Sequence, residues 1–138
     1  MENLFVPYEL AVKLKELGYD ESSISGYMEH NGEITLVTKL KDQYPISNTI
    51  GFGRYNYQNK KIVKAPLWQQ AFDWFRAKKG TFGFVGMLDY GKFCFQIERE
   101  LTYEIKYDTY EEARFECLKY MIERLEQFKK NLDKLKEL

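Results

Sequence analysis

Leu10, Ala11, Leu14 and Leu17 recur at spacings of three and four residues, the interval that brings side chains to one side of an α-helix. The pattern predicts a helix over 7–17. Pro7 suits its start, where a missing amide hydrogen costs nothing, and Gly18 supplies a left-handed stop. Leu4, Phe5 and Val6 precede it as candidate core residues. A hairpin is expected over 24–39, because Asn31-Gly32 is the preferred pair for a tight turn with positive φ at both positions, and Tyr27 and the run Ile34-Thr-Leu-Val flank it. A second helix is expected over 66–79, opened by Pro66, closed by Gly80 and carrying Lys78 and Lys79 at its negative end. Its apolar stripe is Trp68, Ala71, Phe72 and Phe75, with Trp74 off centre.

The period then changes. Phe93, Phe95, Ile97, Leu101, Tyr103, Ile105 and Tyr107 all take odd numbers, with mostly polar residues between them. That alternation reads as strand with one face buried. A hairpin is expected around Asp89-Tyr90-Gly91. The run exceeds a usual strand, so a break is expected near Arg99-Glu100. From Thr109 the period becomes helical, with Asp108 or Thr109 as the cap and Glu111 and Glu112 in the first turn, where negative charge is favoured.

The last helix has the sharpest spacing. Leu118, Met121, Leu125, Phe128, Leu132 and Leu135 are separated alternately by three and four residues, flanked by Lys129 and Lys136. This is a heptad seam. Some thirty helical residues extend about 45 Å, beyond the width of about 37 Å that suits a compact domain of this size. Three explanations stay open for the tail: packing within the chain, pairing with a second copy as a homodimer, or a frayed end.

Separate clusters of helices and strands indicate an α+β fold: an antiparallel sheet with two short helices and a long C-terminal helix packed on one face. At 138 residues the chain fits a single domain, 1–138. A hydrophobic fraction of 44% provides core material without disulfide or metal staples. Met1-Glu2-Asn3-Leu4 does not open as a secretory leader, and no apolar stretch is long enough to span a bilayer. The expected location is cytoplasmic, with no membrane partner.

Candidate chemistry is sparse. Cys94 and Cys117 form no disulfide framework and no four-ligand zinc site; both read as small core residues. His30, the only histidine, sits beside the hairpin turn. Gly51-Phe-Gly lacks the third glycine of a dinucleotide loop. Glu98, Glu100 and Glu104 are the one carboxylate cluster that could divide acid and base roles, and a solvated strand face explains them more simply. No cofactor, metal or enzymatic activity is expected.

Aromatic side chains bring large contact area at low entropic cost, so a binding or adaptor module is the favoured reading, with a structural or assembly component as another. A nucleic-acid alternative rests on residues 52–64. There Arg54, Lys60, Lys61 and Lys64 would meet phosphates while Tyr55 and Tyr57, with Phe52, stack on bases. Across the whole chain, 21 basic residues balance 21 acidic ones, which argues against a general nucleic-acid coat.

Three phrases carry a resemblance: Phe5-Val-Pro-Tyr-Glu-Leu-Ala-Val-Lys-Leu-Lys-Glu-Leu-Gly18, Ala65-Pro-Leu-Trp-Gln-Gln-Ala-Phe-Asp-Trp-Phe-Arg76, and Tyr107-Asp-Thr-Tyr-Glu-Glu-Ala-Arg-Phe-Glu-Cys-Leu118. They resemble a family of small uncharacterised proteins of phages, prophages and mobile elements of gut Bacteroidales. Residues 24–64 and 82–105 carry no part of the likeness. The resemblance implies an accessory role in an infected cell, such as binding a host or phage protein. It implies no cofactor and no catalytic residue.

Overall fold

The computed structural model describes residues 2–38, 61–88, 90–98 and 100–137. Over these residues the fold is α+β, with two three-stranded antiparallel sheets. The chain divides into two compact units, Met1–Ala71 and Phe72–Leu138.

The first unit opens with a short 3-10 turn, Glu2–Leu4, and helix α1, Tyr8–Glu16. Pro7 is extended at φ −60° and ψ 155°, and its carbonyl accepts from the Leu10 and Ala11 amides. Leu17 caps the far end, and Gly18 leaves the helix at φ 99°. Leu10, Ala11, Leu14 and Leu17 are all buried, as their spacing predicts.

Strands β1 (Ser25–His30) and β2 (Glu33–Thr38) form the expected hairpin, with His30 paired to Glu33 across the turn. Asn31 and Gly32 take φ 53° and 81°, the two positive values that this turn type requires. Strand β3 (Lys61–Lys64) pairs with the other edge of β1, so the order is β2-β1-β3. Ile62 and Val63 of β3 are buried, and α1 packs against this strand.

Several bonds tie the N-terminal segment to the sheet and to the residues after β3. The Val6 amide donates to the Pro66 carbonyl at 2.9 Å, the Tyr27 hydroxyl to the Val6 carbonyl at 2.7 Å, and the Trp68 indole to the Asn3 carbonyl at 3.1 Å. Buried Ser23 lies 2.8 Å from both the Ser25 and Ala65 carbonyls. Its single hydroxyl proton is shared between the two strand ends.

Helix α2, Trp68–Trp74, runs across the boundary between the units. Its end widens into a π turn, Phe75–Lys79, closed by Gly80 at φ 66°. The Gly80 and Thr81 amides both donate to the Phe75 carbonyl. The sequence stripe is corrected here: Trp74 is buried while Phe72 is only half-buried. A π turn bonds five residues apart and so rotates the helix face relative to α spacing. It brings the Lys79 ammonium 5.3 Å over the Trp74 ring.

In the second unit, β4 (Gly83–Met87), β5 (Phe93–Ile97) and β6 (Glu100–Tyr107) form a meander, β4-β5-β6. The break falls at Glu98, in the left-handed region at φ 52°. Ile97 therefore pairs with Glu100, an odd position with an even one, and a register shift between Phe93 and Phe95 restores odd-to-odd pairing at Phe93 and Tyr107. The expectation that odd positions share one face throughout 93–107 fails for this reason. A two-residue turn reverses parity, and the irregularity reverses it again; Ile105 is exposed while Tyr107 is half-buried.

Helix α3, Tyr110–Lys136, packs on this second sheet. Thr109 is its cap, accepting from the Glu112 amide at 3.1 Å. Asp108 instead pairs with Lys92, whose hydrogen bond holds the Asp108 carboxyl below its ordinary range. Sequence reasoning expected one sheet. The structure has two because each set of strands closes locally by antiparallel pairing, with α2 between the two sets.

Candidate functional site

Helix α3 changes character along its length. Ala113, Cys117, Leu118, Met121 and Ile122 are fully buried. Leu125 is half-buried. Phe128, Leu132 and Leu135 are exposed at 58%, 40% and 65%. The seam read from the sequence therefore divides. Leu118 and Met121 belong to the interior of the second unit, and from Leu125 onward the same helix face runs out into solvent.

A close approach of backbone to helix explains why the buried half is tight. A Cβ on Gly83 would meet the Met121 thioether and lie 3.1 Å from the Cys117 sulfur. Phe95 of β5 stacks on Tyr107 at 6.0 Å and lies 6.0 Å from Tyr120 of α3. The helix is thus seated on β4 and β5 up to Ile122 and extends about another 20 Å beyond it.

Beside the exposed seam, one face of α3 bears a shallow open depression lined by Tyr120, Glu123, Arg124, Gln127, Phe128 and Asn131. It shares Phe128 with the seam. The depression mixes aromatic surface, both signs of charge and amides. It suits contact with another polypeptide better than enclosure of a small ligand, which needs concave walls.

The second sequence-derived candidate is placed only in part. Arg54, Tyr55, Tyr57 and Lys60 lie outside the described residues. Lys61 begins β3. Lys64 is buried, and its ammonium lies 3.3 Å from both the carbonyl and the carboxylate of Asp20. Its charge is engaged within the first unit.

Both cysteines are buried and free. Burial pushes the Cys117 thiol up to about 12, so it carries almost no thiolate at neutral pH and is a poor nucleophile. In the native protein Cys117 is expected to resist iodoacetamide at pH 8 and to react fully once denaturant is added, as read by peptide mass mapping. Rapid native labelling at Cys117 would show that this part of the unit opens readily. Glu98 is exposed in its turn. Among the described residues no group of three or more His, Cys, Asp or Glu side chains is placed to hold a metal ion. No helix among them is long and apolar enough to cross a membrane.

The class defined by these observations is an α+β protein with a partly seated terminal helix. No protein-family model, curated protein or solved structure matches the chain.

Proposed function

We propose that the chain is a noncatalytic binding protein, an accessory of phage or mobile-element type, whose docking surface is the distal apolar face of α3. The observation that carries the reading is the exposure of Phe128, Leu132 and Leu135 in line with the buried Leu118 and Met121. Exposed apolar surface of this continuity marks interaction sites in proteins that are otherwise well packed. Phe128 supplies the aromatic anchor typical of the energetic centre of an interface. The three phrases that resemble a mobile-element family support the accessory role.

Site-specific photo-cross-linking tests the proposal. A benzophenone side chain placed at Leu132, on the seam, is expected to give a discrete covalent adduct in the native cell. The same group at Lys130, on the opposite side of the helix, is expected to give none. An adduct of twice the 16.5 kDa chain mass identifies a second copy as the occupant; any other mass identifies a different protein. Equal adducts from both positions, or none from Leu132, would overturn the proposal.

A further inference from the structure

Resting on that docking surface, we infer that its occupant is an acidic amphipathic helix of a different protein rather than a second copy of this chain. The argument lies in the residues beside the seam. With Leu125, Phe128, Leu132 and Leu135 as contact positions, the flanking positions are Arg124 and Asn131 on one side and Lys129 and Lys136 on the other. Flanking charges select the partner and its direction in paired helices. None of the four is acidic. Glu123, Glu126, Asp133 and Glu137 fall on the remaining faces, turned away from the seam by helical spacing.

Self-pairing meets like charge in both directions. A parallel second copy sets Arg124 against the partner's Lys129. An antiparallel one sets Lys129 against the partner's Lys136. Neither arrangement forms a cross-helix salt bridge at these positions, and like-charge contact works against the unwanted pairing. The exposed seam is also short. From Leu125 to Leu135 it covers fewer than two heptads, below the roughly three to four that sustain a coiled coil by pattern alone. A helix with glutamate or aspartate at its flanking positions would place a carboxylate on Lys129 and Lys136 while burying Phe128, Leu132 and Leu135. Residues 39–60 of this chain do not fit that description, since Lys39, Lys41, Arg54 and Lys60 outnumber Asp42.

Two designed peptides of about three heptads test the inference. Both carry leucine at the contact positions; one has glutamate at the flanking positions and the other lysine. Each is labelled and titrated with the full-length protein at low salt, with fluorescence anisotropy as the readout. The glutamate peptide is expected to bind at least about tenfold more tightly, and its advantage to fade above about 0.5 M salt, where charge is screened. A Lys129→Glu, Lys136→Glu double variant is expected to invert the preference with its far-UV circular dichroism unchanged. Equal binding of the two peptides, no binding of the glutamate peptide, or a stable dimer of the protein alone by light scattering each overturns the inference. The docking surface itself stands or falls separately, on the cross-link at Leu132.

Discussion

Truncating Leu118 to alanine is expected to destabilise the second unit by about 2–5 kcal/mol, whereas truncating Leu135 is expected to change stability by less than about 0.5 kcal/mol. The two leucines lie on one heptad seam, at its two alternating contact positions, so nothing in their local sequence marks one as buried and the other as exposed. Their surroundings do. Leu118 is 0% exposed and Leu135 65%. Removing the Leu118 side chain loses its transfer energy and leaves a cavity between α3 and the sheet, whereas Leu135 is already largely in water. The measurement is denaturant unfolding followed by Trp74 fluorescence in a Trp68→Phe background. Trp74 lies in the second unit and Trp68 in the first, and both are buried. Similar losses at the two positions would mean that the tail is part of the same core, and the docking surface would have to be abandoned.

Replacing Gly83 by valine is expected to cost about 1–3 kcal/mol, the usual range for overpacking a fitted interior. Gly83 is not at positive φ, so the cost arises from space and not from backbone strain. The added Cβ meets the Met121 thioether, which can rotate away, and the Cys117 sulfur, which sits on a short side chain close to the helix backbone. Gly83→Ala is therefore expected to be milder than Gly83→Val, and a Met121→Ala change should recover part of the valine penalty by vacating the contested volume. A double-mutant cycle on the same unfolding assay measures that coupling. Additive losses would show that α3 does not rest on β4 at this point.

Much of the local structure was legible in the residues. Leu10, Leu14 and Leu17 marked the buried side of α1, Asn31-Gly32 marked the first hairpin, and the pair Asp108-Thr109 marked the start of α3, with the structure choosing Thr109 as the cap. These signals are short-range and need no knowledge of what lies across the core. The division into two sheets was not legible, because period-two patterning identifies strands without naming their partners. The parity of 93–107 misled for a related reason. A straight run and a hairpin with a compensating register shift can show the same alternation. The π turn after Trp74 has no compositional mark, and the α-helical spacing of Phe72 and Trp74 does not say which of the two the core will cover.

The candidate site was half visible. The spacing from Leu118 to Leu135 located the seam, and the mismatch between helix length and domain width indicated that part of it would outrun its support. Where support ends is decided by the position of β4 and β5 along the helix, which the sequence does not encode locally. The sequence reads Lys64 as a cation that would meet phosphates; its burial against Asp20 was not legible, because that partner is far away in sequence. The pair forms when β3 pairs beside β1.

Among the described residues, the strands of each sheet are consecutive in the chain, and this bears on synthesis. Every strand of β2-β1-β3 emerges from a ribosome before any strand of β4-β5-β6. At about 5–20 residues per second, completion of β6 trails that of β3 by a few seconds. Neither sheet has to hold an unpaired inner edge open while awaiting a strand from the other half, so the nascent chain is spared a common route to aggregation.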